Sequence, residues 1–221
     1  PATHRETDVP VIVALPEGAS GPLPTIIWNH GGSMRPPGQV DRTEKHWAQA
    51  LARGGYAVLL VTSHEPSDTE REDYCTMLGF VPYSTECAEA LNQKGAYFRP
   101  KDVSAVIDAF PYLNSELQEF GVELDVARLG VGGWSAGSAA TMRVAGATSV
   151  LHPSLGHVSV EDPRPKAFFA MSPAGVANNA FRSGSWSTIQ RPVLTATGEG
   201  DRHGKRIFEN QVLPHYEMPA L

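Results

Sequence analysis

Short, unbroken apolar runs alternate along this chain with segments whose apolar residues recur at helical spacing. Residues 25–28, 56–61, 129–133, 167–171 and 193–197 are such runs, each bounded by Gly, Pro or polar residues. Runs of that length without polar alternation predict strands buried on both faces of a parallel sheet. Residues 9–15 are also apolar. Pro10 within them lacks a backbone donor, so this stretch reads as an edge strand.

Between the runs lie the helices. Residues 44–53 place Trp47, Ala48 and Leu51 on one face and end at Gly54-Gly55. Val103, Val106, Ile107 and Phe110 share a face of a helix predicted to start at Pro100, where the missing N–H is tolerated. Residues 136–145 are small and helical, and 204–213 form a further helix. Residues 215–221 read as the opening of a last strand. Residues 62–100 are polar and turn-rich, and predict a loop-rich excursion near the functional site. Residues 146–165 predict a polar connection. The repeated order strand–helix–strand gives one α/β domain over residues 1–221, with a mostly parallel twisted sheet and helices on both faces.

Composition narrows the function classes. The chain has 221 residues, with 18 Lys and Arg against 24 Asp and Glu, and a net charge of −6. That balance lacks the basic footprint of a nucleic-acid binder. No apolar run approaches the roughly 18 residues of a membrane span. The 21 glycines and 18 prolines exclude a long coiled coil. The chain opens at Pro1 with neither Met nor an apolar signal segment, the expectation for a trimmed or mature product. Cys75 and Cys87 are too few for a zinc site, and no nearby His completes a ligand set. They either form one disulfide, which places the protein in a secreted or periplasmic setting, or stand as two thiols of a cytoplasmic protein.

The chemistry is concentrated at Gly133-Trp134-Ser135-Ala136-Gly137, a G-x-S-x-G segment between a strand and a small-residue helix. In that context the serine occupies a sharp, strained turn and projects its hydroxyl above the sheet edge. Glycine is required at 133 and 137 because side chains there would strike the neighbouring strand and helix. The helix N-terminus points at the serine and favours developing negative charge. A chance Gly-rich turn is the plainer alternative.

Two further segments fit the same chemistry. His30-Gly31-Gly32 follows the strand 25–28 directly. An H-G-G segment there can supply one oxyanion-binding N–H, assigned to Gly32, with the N–H of Ala136 as its partner. His30 then braces the loop and is not the base. The strand 193–197 runs into Gly198-Glu199-Gly200-Asp201, which puts Asp201 at the carboxyl end of the sheet. A carboxylate there can orient a histidine and stabilise its cation. Glu199 is the substitute, and ordinary turn geometry is the other reading of Asp201.

These segments, with Gly54-Gly55-Tyr56-Ala57-Val58, Arg99-Pro100-Lys101-Asp102-Val103, Arg164-Pro165-Lys166-Ala167 and Met171-Ser172-Pro173, resemble the serine-dependent, dienelactone-hydrolase-like group of the α/β hydrolases. That group is similar to platelet-activating-factor acetylhydrolases and bacterial polyester-cleaving cutinases. The resemblance implies an α/β-hydrolase fold and a triad in the order Ser, Asp, His. It also implies cleavage of small or polymeric carboxylic esters through an acyl-enzyme, without metal or organic cofactor. Dienelactone hydrolases proper use a cysteine nucleophile, so Ser135 points away from that lactone.

The base is the gap. His203 shares the turn of Asp201, His215 opens the expected last strand at the wrong end, and His64, His152 and His157 lie on earlier connections. The resemblance places the base after the last strand, beyond Leu221, with the C-terminal end of the fold incomplete. A chain without a base would instead be a noncatalytic or weakly active binding protein on this fold. An acyltransferase or peptidase is a third option. The aromatics Tyr74, Phe80, Tyr83, Tyr97 and Phe98 either line a substrate pocket or pack locally. Nothing in the sequence indicates an oligomeric state.

Overall fold

The computed structural model describes residues 8–32, 34, 42–63, 65–176, 180–201 and 208–219. Six strands form one sheet: β1 (Val11–Ala14), β2 (Gly21–Asn29), β3 (Ala57–Val61), β4 (Val122–Trp134), β5 (Ala167–Met171) and β6 (Val193–Ala196). Their spatial order is β1-β3-β2-β4-β5-β6. β1 pairs antiparallel with β3, as an edge strand, and the remaining pairs are parallel.

The period-2 alternation of strands divides the apolar residues between two faces. On one face Ile27, Leu59, Val61, Val131, Phe168 and Ala170 meet Val103, Val106, Ile107, Phe110 and Met142. Those partners come from α4 (Lys94–Asp108), α5 (Phe110–Leu117) and α6 (Ala136–Val144). On the other face Trp28, Val58 and Leu60, with Phe169, meet Ala48, Ala52, Trp47 and Leu51 of α1 (Arg42–Arg53). Trp28 and Trp47 stack with ring centroids 5.6 Å apart.

Residues 62–100 depart from the loop-rich expectation. They carry α2 (Asp68–Met77), α3 (Thr85–Leu91) and the first seven residues of α4. Strong caps start the first two helices. The Ser67 hydroxyl accepts from Glu70 N–H at 3.1 Å while the Glu70 carboxylate accepts from Ser67 N–H at 2.8 Å, a reciprocal capping box. The Ser84 hydroxyl accepts from Cys87 N–H at 3.2 Å. Neither helix has a broad apolar stripe of its own. Tertiary burial supplies it, in a second small core of Tyr74, Cys75, Cys87, Ala90, Phe98 and Leu151. Cys75 and Cys87 are joined as a disulfide inside that core. Tyr74 and Phe98 are buried in this core, Phe80 and Tyr97 pack against it, and Tyr83 is 81% exposed.

Two helix boundaries also differ. Pro100 lies inside α4, one turn and a half after its start at Lys94, rather than opening it. At the C-terminal end α7 (Phe208–Glu217) continues through residues expected to begin a strand. Leu213 within it and Met218 just past it pack against the main core, and Pro214 lies inside the helix.

Candidate active site

The carboxyl ends of β2, β4, β5 and β6 converge on one edge of the sheet, where open α/β sheets place their ligands. At the end of β4 the chain turns sharply into α6 through Ser135, which has φ 57° and ψ −116°. A non-glycine residue there stores strain of roughly 1–3 kcal/mol. The turn is jammed between backbones. A Cβ on Gly133 would lie 2.5 Å from the Gly137 carbonyl, and one on Gly137 would lie 2.7 Å from His30 O. Ser135 N–H donates to Met171 O of β5 at 2.9 Å, and the Ser138 hydroxyl donates to Ser135 O at 2.6 Å. Ser135 is neither buried nor fully exposed, and it directly precedes the first residue of α6.

The loop after β2 runs beside this turn, since Asn29 pairs with Gly133 in the sheet register. Asn29 is buried, and its amide donates to Gly132 O at 3.2 Å, locking β2 to β4. His30 is buried as well. Its Nδ1 lies 2.7 Å from Gly31 O and 4.0 Å from the buried Glu44 carboxylate. These contacts hold the His30 ring against its own loop and beside α1. Gly32 is exposed and has φ 72°, a conformation glycine adopts readily.

Asp201 follows β6 in a turn closed by its own N–H donating to Gly198 O at 2.9 Å. The Ser172 hydroxyl hydrogen-bonds Asp201 Oδ2, and Thr197 Oγ1 lies 3.3 Å from the same oxygen. Thr197 Oγ1 also lies 2.8 Å from Gln211 Oε1, which ties the Asp201 turn to α7. Ser172 stands just past β5 with φ 56°, and its N–H donates to Ala196 O of β6 at 2.7 Å. The Ser138 hydroxyl, which donates to Ser135 O, also lies 3.4 Å from Ser172 O, so the Ser135 turn packs beside the residue that reaches Asp201. Glu199 is exposed in the same turn.

Other histidines with described side chains are engaged or placed elsewhere. His152 meets the Ser154 hydroxyl at 2.7 Å and packs against Phe80. His157 meets the Thr148 hydroxyl at 2.7 Å. His215 is exposed on α7 beside Tyr216. His64 and His203 lie outside the described residues. Among the described residues, no three His, Cys, Asp or Glu side chains cluster so as to hold a metal ion, and no helix is long and apolar enough to cross a membrane.

Arg143 on α6 is fully buried, and burial followed by nearby Arg99 pushes its guanidinium below the usual arginine range. It lies over the Phe181 ring at 4.2 Å and donates to the Ser149 hydroxyl at 2.6 Å. Sequence reading missed Ser172, Thr197, Gln211 and the guanidinium of Arg99. Ser172 had a usable signal: a small polar residue directly past a buried strand and before Pro173, as Ser135 lies directly past β4.

No protein-family model matches the sequence, and no curated protein matches it. Solved structures match in shape. A protein described as m3DLH shares 13% identity at a TM-score of 0.53, over 97% of this chain and 75% of that one. A Klebsiella pneumoniae protein described as a dienelactone hydrolase shares 18% identity at a TM-score of 0.49, over 86% of this chain and 68% of that one. An acylaminoacyl peptidase of Pyrococcus horikoshii shares 16% identity at a TM-score of 0.49, over 86% of this chain and 30% of that one. The sheet order, the strand–serine–helix turn and the likeness to the first of these make this an α/β-hydrolase fold.

Proposed function

We propose that this chain is a serine hydrolase acting on carboxylic esters. The observation that carries the reading is the turn at Ser135. Its backbone is strained, its flanking glycines admit no Cβ, and its hydroxyl-bearing residue starts a helix at the carboxyl edge of the sheet. Such strain persists where the surroundings impose it, and it clusters at functional sites.

In this mechanism Ser135 Oγ attacks the ester carbonyl carbon and its proton passes to a base. The carbonyl oxygen becomes an oxyanion that accepts hydrogen bonds from the main-chain N–H groups of Gly32 and Ala136. Each such donor contributes about 3 kcal/mol to transition-state stabilisation. The α6 dipole acts in the same direction. Collapse of the tetrahedral intermediate expels the alkoxide, which takes the proton from the base. Water, giving a proton to the base, then attacks the acyl carbon; the acyl–Oγ bond breaks, Ser135 Oγ takes the proton back, and the carboxylic acid leaves. The base is a histidine oriented by Asp201, whose carboxylate is itself aimed by the Ser172 hydroxyl. The closed Cys75–Cys87 bond supports work in an oxidising compartment.

The test is direct. A fluorophosphonate should label the protein at Ser135, and p-nitrophenyl ester turnover should vanish in Ser135→Ala. Equal turnover by the native protein and Ser135→Ala, with no labelling, would favour a binding protein on this fold.

A further inference from the structure

We propose that Arg99 is a positioning residue that holds the 30–32 loop in its oxyanion-binding conformation; this rests on the hydrolase reading above for its catalytic consequence. Arg99 projects from α4 and is 4% exposed. Its Nη1 donates to His30 O at 2.8 Å and its Nη2 to Gly32 O at 2.6 Å. The guanidinium thus grips two carbonyls two residues apart, a use of the rigid two-pronged fork that an ammonium cannot reproduce.

The intervening carbonyl, Gly31 O, lies 2.7 Å from His30 Nδ1. Gly31 O belongs to the same peptide plane as the Gly32 N–H, the assigned oxyanion donor. Arg99 holds the planes on either side of it. Three successive peptide planes therefore have their carbonyls tied, and a plane with a tied carbonyl has its N–H direction set as well. From the opposite side the loop rests on Trp134, the residue before Ser135. A Cβ on Gly31 would lie 2.7 Å from the Trp134 ring. The loop is clamped between the serine turn and Arg99.

An ordinary structural arginine would leave the donor direction unaffected when replaced conservatively. Here the two-pronged grip sets it. Preorganisation of a donor acts on the transition state, so its loss lowers kcat more than it raises KM.

The experiment compares native protein, Arg99→Lys and Arg99→Met. The first readout is amide hydrogen exchange at residues 30–32, which needs no activity. The second is ester kcat and KM, with Ser135→Ala as the background, and inhibition by an alkyl boronic acid. Arg99→Lys should keep the fold, lose about tenfold in kcat and in boronate affinity, and leave KM within about twofold. Arg99→Met should lose more and speed exchange at 30–32. Should Arg99→Met fail to fold, Arg99→Lys carries the test. Unchanged exchange and unchanged kcat in a folded variant would overturn the proposal. So would a loss in which KM and thermal stability move as far as kcat and boronate affinity does not follow. If native turnover equals that of Ser135→Ala, the hydrolase reading falls, and exchange at 30–32 alone decides whether Arg99 clamps the loop.

Discussion

Gly137→Ala sets two physical effects against each other with opposite signs. Gly137 lies in the first turn of α6. By helix propensity alone, alanine there would stabilise the fold by up to about 1 kcal/mol. The site geometry says otherwise. The added Cβ would lie 2.7 Å from both Asn29 C and His30 O, and closer still to Asn29 O. Ordinary van der Waals contact begins at 3.4 Å, so the shortfall is 3.4 − 2.7 = 0.7 Å at two backbone atoms. None of these atoms is the far end of a flexible side chain. Either β2 and its loop retreat from α6, or the turn at Ser135 opens. Overpacking of this kind costs about 1–3 kcal/mol. For a domain of this size that is a fall in melting temperature of about 2–12 °C. The retreat also carries Gly32 away from Ser135, and a misplacement near 1 Å at reacting groups costs on the order of 100-fold in rate. Thermal unfolding and p-nitrophenyl ester kinetics measure both. Gly156→Ala, whose Cβ would meet nothing within 4 Å, is the control and should leave both unchanged or raise stability slightly. Gly137→Ala melting at or above the native temperature, with native kcat, would refute the reasoning.

Three further outcomes are expected. Ser172→Ala removes a hydroxyl bond to the Asp201 carboxylate; at about 1.5–3 kcal/mol for a bond to a charged group, kcat should fall about 10- to 100-fold with KM little changed in steady-state assays. Reduction of the buried Cys75–Cys87 bond, or Cys75→Ala with Cys87→Ala, frees a loop of 12-residue separation and should lower unfolding free energy by about 3 kcal/mol in urea titrations. Asp162 provides a pH prediction. Burial opposes its ionised form, but hydrogen bonds from Arg164, from Arg164 N–H and from the Ser104 hydroxyl outweigh it and hold its carboxyl below the usual range. A depressed folded value stabilises the fold above the unfolded value of about 3.9, and that stability disappears as pH falls through the folded value. Asp162→Asn should therefore be less stable than the native protein at pH 7, and its stability should fall less steeply below pH 4.

Strands and the sharp turn at Ser135 were legible in the sequence for a common reason: both depend on short-range pattern. A run such as Ala57–Val61 must be covered on both faces wherever it sits, and G-x-S-x-G after a strand has few alternatives to a sharp turn. The helices of the 62–100 segment were illegible, because their apolar partners, Leu151 among them, come from elsewhere in the chain. The same holds for α7, where Leu213, and Met218 just past the helix, find the core only once the sheet exists. At the candidate site, Ser135 and Asp201 stand out as candidates individually by residue type and place at the ends of β4 and β6. That the Ser172 hydroxyl meets Asp201, 29 residues away, and that Arg99 grips a loop 67 residues upstream of it at Gly32, required the folded chain. Residue type and local spacing decide which groups are available for chemistry. Which group holds which is decided by distances across the sheet edge, and only tertiary packing sets those.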